Sequence, residues 1–253
     1  MAFVFGIHAV EALLRRDPGA VHNLHLQSGR DRRRRDLEKL ARDNGISVLW
    51  QSREELDQLV TGRHQGAVAA TDGEDAGAAG WSEAELLAAV EALDGPALLL
   101  VLDGVTDPHN LGACLRSADA AGVTAVVVPR DRSAGMTPVV RKVACGAAET
   151  VPLVQVTNLS RTLKALKGLG VWLYGADGEA EKSIYNNDLT GSVALVLGAE
   201  GSGLRRLTRE QCDVLVHLPM AGAVSSLNVS VAAGVCLFEV VRQRAGAGPE
   251  PAL

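Results

Sequence analysis

Apolar positions follow two regimes along the chain. In residues 1–70 they are sparse and periodic. His8–Arg15 spaces them like a helix, and Val21–Leu26 alternates like a strand. Asp31–Asn44 is a charged helical stretch closed by Gly45, which suits the left-handed position after a helix. Ile46–Trp50 reads as a strand. Ser52 with Glu55 forms a capping-box pattern that opens a helix running to Val60, and Gly66–Ala70 reads as a short closing strand. Residues 1–71 are therefore expected to form a small α/β unit. From residue 97 the pattern changes to near-continuous apolar runs at Ala97–Leu102, Val123–Val128, Val151–Val154, Val171–Tyr174, Val193–Leu197 and Val214–Leu218, with helical patterns between most of them. Such runs suit strands buried on both faces, so residues 96–245 are expected to form a mostly parallel sheet with helices on both sides.

Between the two lies TDGEDAGAAG, residues 71–80, small, acidic and glycine-rich. It buries little, and residues 72–95 read as a flexible acidic linker followed by a leading helix capped by Ser82 and Glu85. Residues 246–253 read as a disordered tail.

Charge at first argues against a nucleic-acid partner. The 25 basic and 30 acidic residues leave a net charge of -5. The total is uneven. Residues 1–70 hold 11 bases and 9 acids, residues 71–95 hold seven acids and no base, and the remainder balances. The acidity thus belongs to the linker segment. A hydrophobic content of 47% excludes a disordered chain, and 3% aromatics argues against stacked platforms for single-stranded nucleic acid. No apolar run is long enough to span a bilayer, and MAFVFGIHAVEALL lacks the features of a signal peptide. The four cysteines are far apart, so reduced core thiols in a cytoplasmic protein are expected. The six histidines show no metal-ligand spacing, and no metal site is expected.

Ligands of parallel sheets bind beyond the carboxyl ends of the strands, and three segments follow apolar runs there. In the first, Asp103 to Arg116, Asn110 sits where a helix begins and reads as its N-cap. Arg116 lies among Ala113, Cys114, Leu115 and Ala118, a setting that calls for an anionic partner. The second, Leu197-Gly-Ala-Glu200-Gly-Ser-Gly-Leu204, spaces its glycines as GxxGxG, neither a dinucleotide fingerprint nor a phosphate-binding P-loop. It suits a tight turn, in which Glu200 is hard to explain as filler. The third, Leu218 to Asn228, is a small apolar loop fit to wall a pocket for an adenine or a thioether. Ser225 or Ser226 could cap the helix that follows. That helix places Leu227, Val231, Val235, Phe238 and Val241 on one face and Val229, Ala232, Ala233, Cys236, Leu237 and Val240 on the others. Apolar nearly all round, it predicts burial nearly all round, and hence a homodimer interface.

Taken together, LDGVTDPHNLGACLRSADAAG, LVLGAEGSGL and LPMAGAVSSLNVSVAAG resemble motifs 1, 2 and 3 of the SpoU/TrmH RNA ribose 2′-O-methyltransferases, in the same order and spacing. FGIHAVEALL and RHQGAVAA resemble the substrate-binding domain of the subgroup that methylates a guanosine in the peptidyl-transferase loop of 23S rRNA. The resemblance implies a SPOUT-type α/β domain over residues 96–245 with a trefoil knot, which periodicity does not show, and an RNA substrate-binding domain over residues 1–71. It implies S-adenosylmethionine held around Gly198, Gly201, Leu218, Met220, Ser226 and Leu227. The catalytic set it implies is Asn110, Arg116, Glu200, Ser226 and Asn228. It further implies a homodimer and an rRNA or large-subunit-precursor partner, with no membrane. DNA is not expected as a substrate because only RNA carries the 2′-hydroxyl. Arg15, Arg30, Arg32–Arg35 and Arg63 are the basic residues available to hold RNA. Asp31, Asp36 and Glu38 could equally pair with the arginines of that helix. Two other readings remain: a methyltransferase for another site, in tRNA or a resistance-type rRNA position, and a non-catalytic RNA-binding assembly factor on the same fold.

Overall fold

A computed structural model describes residues 2–29, 31–60, 64–71 and 80–246. The expected tail beyond residue 246, most of the linker, Arg30 and Arg63 lie outside the described residues. The chain divides into two compact units, Met1–Ala79 with Cys145–Thr150, and Gly80–Ala144 with Val151–Leu253.

The first unit runs β1 (Ala2–Phe5), α1 (Ile7–Arg16), β2 (Val21–Gln27), α2 (Arg32–Asp43), β3 (Ser47–Gln51), α3 (Arg53–Leu59) and β4 (Ala67–Thr71). Asp31 caps α2 by accepting from the Arg34 amide, and the Ser52–Glu55 capping box opens α3. The sheet order is β1-β4-β2-β3. The strand read as a closing one is therefore interior: β4 lies antiparallel between β1 and β2, and all five of its residues are buried. Edge strand β1 has no counterpart in the sequence reading, because Phe3-Val4-Phe5 is too short to show alternation before Gly6. Leu24, Leu26, Ala67 and Ala69 of the sheet pack with Val10, Leu13, Leu14, Leu37 and Ala41 of α1 and α2, while Leu56 and Val60 cover Val68 on the other side.

The remaining elements are α4 (Glu83–Glu91), β5 (Leu98–Asp103), α5 (Pro108–Ala120), β6 (Ala125–Pro129), α6 (Pro138–Ala144), α7 (Ala147–Thr150), β7 (Leu153–Val156), α8 (Leu159–Gly168), β8 (Trp172–Ala176), β9 (Lys182–Ser183), β10 (Val193–Gly198), α9 (Arg206–Arg209), β11 (Val214–His217) and α10 (Val229–Gly246); of these, α7 belongs to the first unit and the others to the second. Seven strands form one sheet, β7-β6-β5-β10-β8-β11-β9, parallel at every pairing. All six residues of β5 are buried. Leu99 and Val101 join Leu86 and Val90 of α4 and Leu159, Leu163 and Leu166 of α8 in one core layer, and α5 and α10 pack over the opposite face. Gly112 brings α5 and α6 together, since a Cβ there would stand 2.7 Å from that of Val143. At its far end α10 is tied down by Arg244, whose guanidinium donates to the carbonyls of Pro96, Ala97 and Gly191 at 3.2, 2.9 and 2.7 Å.

Candidate active site

Neighbouring strands β5 and β10 end side by side, with Asp103 opposite Gly198. The loop after β5 enters α5 through Asp107, whose side chain accepts from the His109 amide at 2.8 Å, and Pro108 fills the first helical position. The helix thus starts before Asn110, correcting the expected N-cap. Proline suits the first turn, where an amide hydrogen would have no partner, and this carries the cap back to Asp107. Asn110 is then inside the helix with its amide free for other work.

That work is a three-residue cluster. Asn110 Nδ2 donates to Glu200 Oε1 at 3.1 Å. Asn228 Nδ2 donates to the same oxygen at 2.7 Å and to Asn110 Oδ1 at 3.0 Å. The Val229 amide, at the start of α10, donates to Glu200 Oε1 at 3.3 Å. Asn228 Oδ1 accepts from the Ser230 amide at 2.9 Å and its hydroxyl at 2.6 Å. Asn228, rather than Ser225 or Ser226, therefore caps α10, because its short side-chain carbonyl reaches the second amide beyond it. A carboxylate at this helix start also matches the positive end of the helix dipole.

Glu200 is placed by a turn that closes on itself. Gly203 donates to the Ala199 carbonyl at 2.9 Å, and Gly201 and Gly203 hold φ of 79° and 65°, the left-handed region that favours glycine. A Cβ on Gly198 would overlap the backbone of Gly203 and Leu204. Beneath the turn, Asp103 is fully buried and accepts from the Arg205 amide at 3.0 Å and Nε at 2.5 Å. This pair, absent from the sequence reading, anchors the Glu200 loop to the end of β5. Its signal was available: an acid directly after Leu98–Leu102, at the carboxyl end of a central strand. On the β8 side, Arg209 Nε donates to Asp177 at 2.7 Å. The Glu179 amide holds the Asp177 carboxyl below its ordinary value, with help from Arg209.

The third loop differs from the other two. Residues 221–228 are exposed, with Val224 at 63%. Among the described residues, the amides of 220–227 donate no hydrogen bond. Unbonded amides on an apolar loop, beside a glycine turn, fit a ligand that combines polar edges with an apolar body. Leu218, Met220, Ser226 and Leu227 line this loop, and Ser226 stands outside the Asn110–Glu200–Asn228 cluster. Arg116 projects from the exposed side of α5, while Cys114, Leu115 and Ala118 point inward. The apolar neighbours that called for an anionic partner lie largely on the other face of the helix. Of the basic residues of the first unit, Arg32, Arg33 and Arg35 are exposed, Arg34 donates to the Gln27 carbonyl at 3.0 Å, and Arg15 pairs with Glu11 at 2.9 Å. Asp31 caps α2 and also lies 3.9 Å from Arg34 Nε, and Glu38 pairs with Arg42.

Residues 97–238 match the SpoU rRNA methylase family, a span that contains all three loops. The chain belongs to this family. Residues 3–75 match the RNA 2′-O ribose methyltransferase substrate-binding domain. The 23S rRNA (guanosine-2′-O-)-methyltransferase RlmB of Pseudomonas syringae pv. tomato is 58% identical over 242 residues, 95% of either chain. The RlmB of Vibrio cholerae is 57% identical over 244 residues, 95% of this chain and 96% of that one. Among solved structures, the SpoU methyltransferase AviRb from Streptomyces viridochromogenes superposes with a TM-score of 0.74 at 25% identity, covering 97% of this chain and 90% of its own. Family membership accounts for a polar cluster that has no triad geometry. No serine–histidine–carboxylate arrangement lies in it, and its residues are suited to positioning.

Proposed function

We propose that this SpoU-family chain transfers a methyl group from S-adenosylmethionine to the ribose 2′-hydroxyl of a guanosine in the peptidyl-transferase loop of 23S rRNA. The observation that carries the reading is the Asn110–Glu200–Asn228 cluster, which joins all three motif loops at the carboxyl ends of β5 and β10. The RlmB names of full-length relatives above 50% identity supply the substrate.

When bound, S-adenosylmethionine would supply an activated methyl on a positively charged sulfur, with a neutral thioether as its leaving group. The free amides of 220–227 and the Gly198–Gly203 turn would hold it, with Leu218, Met220 and Leu227 as apolar walls. Arg116 presents a planar guanidinium that orients the phosphate and 2′-hydroxyl as a hydrogen-bond donor. Asn110, Glu200 and Asn228 lock the loops that set this geometry, and Ser226 contacts the cofactor or ribose from the third loop. Precise placement alone can lower a bimolecular barrier by several kcal/mol, on the order of 7–11.

The working unit is a knotted homodimer acting in the cytoplasm. Support for the dimer comes from α10. Its inner residues Val229, Ala233, Cys236, Leu237 and Val240 are buried in the chain, whereas Val231 and Phe238 on the other face stay 51% and 49% exposed. Free cysteines support a reducing compartment. Among the described residues no helix is long and apolar enough to cross a membrane. The first unit holds the rRNA.

Labelled S-adenosylmethionine incubated with the protein and undermodified 23S rRNA, followed by mapping of the labelled ribose, tests the whole reading. Label on one guanosine of the peptidyl-transferase loop is expected. Label on tRNA, on another rRNA site or on none overturns it, and absence of cofactor binding by calorimetry would favour the assembly-factor reading.

A further inference from the structure

The loop leaving β6, residues 130–137, carries Arg130, Asp131 and Arg132, all exposed. Neither guanidinium has a hydrogen bond or ion pair among the described residues. The loop is nonetheless held firmly in place. The Arg130 amide donates to the Val156 carbonyl at 2.8 Å, which fixes one end to β7. Val105, in the loop after β5, accepts from the Ser133 hydroxyl at 3.2 Å and the Ala134 amide at 2.8 Å. Ala134 is buried beneath. Between these anchors Arg132 adopts φ of 59°, a left-handed conformation unfavourable for a side chain of this size. Arg132 thus carries an exposed guanidinium on a bend that its side chain disfavours.

The position connects to the candidate active site through Gly104. A Cβ built there would lie 3.6 Å from the Cβ of Ala199, next to Glu200, and 3.8 Å from the Arg132 carbonyl oxygen. The Glu200 turn and the Arg132 bend therefore flank the same glycine on the rim of the sheet. Strands β6 and β10 are separated only by β5, so the two loops start about 10 Å apart. We propose that Arg130 and Arg132 clamp phosphates of the RNA strand beside the ribose to be methylated. The proposal rests on the reading given under Proposed function. Guanidinium forks match phosphate oxygens bidentately, and two such contacts set the register of a strand without reading its bases.

The test uses the full chain with Arg130→Gln, Arg132→Asn and the double substitution. Asparagine tolerates the left-handed backbone, so the bend survives loss of the charge. Binding of a 23S rRNA fragment carrying the peptidyl-transferase loop is measured over a salt series, together with KM and kcat for methylation, cofactor affinity and the thermal midpoint. Each substitution is expected to lower the slope of log affinity against log salt by about one and to raise the KM for RNA, with cofactor affinity and midpoint unchanged. An unchanged slope, or a loss confined to cofactor affinity or the midpoint, overturns the proposal while wild-type methylation stands. Wild-type protein that fails to methylate the fragment overturns the functional reading as well.

Discussion

One oxygen of Glu200 accepts from Asn110, Asn228 and the Val229 amide. The cluster is largely solvent-exposed, so water can replace what a truncation removes, and the structural cost is small. Glu200→Ala is expected to lower stability by about 1 kcal/mol or less, a shift of roughly 2–4 °C in Tm. Its kcat/KM for rRNA methylation is expected to fall at least about tenfold, which is roughly 1.4 kcal/mol of transition-state stabilisation. Near-normal turnover would remove the cluster from the mechanism. The cysteines give a second check at this scale. Burial pushes the thiols of Cys114, Cys212 and Cys236 up to about 12, whereas Cys145 is exposed in the chain. Since the thiolate is the reactive form, Ellman's reagent at pH 8 is expected to find one thiol in the folded protein and four after denaturation. More than one equivalent under native conditions would contradict the burial.

At the scale of elements, most helix and strand identities were legible because each has a local signature, the short strands β1 and β9 being exceptions. Ser52–Glu55 and Ser82–Glu85 both form the capping boxes that their spacing announces. What escaped was anything decided by a distant partner. Asn110 was read as a cap because asparagine near a helix start usually is one, but Asp107 and Pro108 had already closed that end. Asn228 became a cap and a cluster member at once, which depends on Glu200 arriving from β10. The buried Asp103 is the clearest case, since its partner Arg205 lies 102 residues away. Asp103→Asn removes a charge that Arg205 faces with its amide and its guanidinium. Because Arg205 is partly exposed, the loss is expected to be about 1–3 kcal/mol rather than the full cost of breaking a buried pair. Urea denaturation checks this, and calorimetry should show weakened cofactor binding as the Glu200 turn loosens. A variant with wild-type stability and wild-type cofactor affinity would show that the anchor is dispensable.

For the molecule as a whole, the sequence showed a parallel sheet and a separate smaller unit, because continuous apolar runs and sparse periodic ones look different. It could not show that β10 inserts between β5 and β8, or that β4 is interior, since pairing order leaves no local trace. The same holds for the apolar face of α10. Sequence alone expected burial all round; the chain itself buries one side and leaves Val231 and Phe238 open. If that side is the dimer interface, Phe238→Glu is expected to give monomers in sedimentation, with methylation lost and secondary structure intact. Dimers persisting at micromolar concentration would move the interface elsewhere.

Asn228 and Glu200 also change how this protein can be watched. The amides of Val229 and Ser230 are bonded to side chains from the cluster, whereas those deeper in α10 are bonded to the carbonyls of their own helix. Deuterium uptake at these two amides should therefore time the opening of the three-loop junction, and uptake in the helix body should time unfolding of the unit. Cofactor that closes the junction would slow the first clock and leave the second nearly untouched.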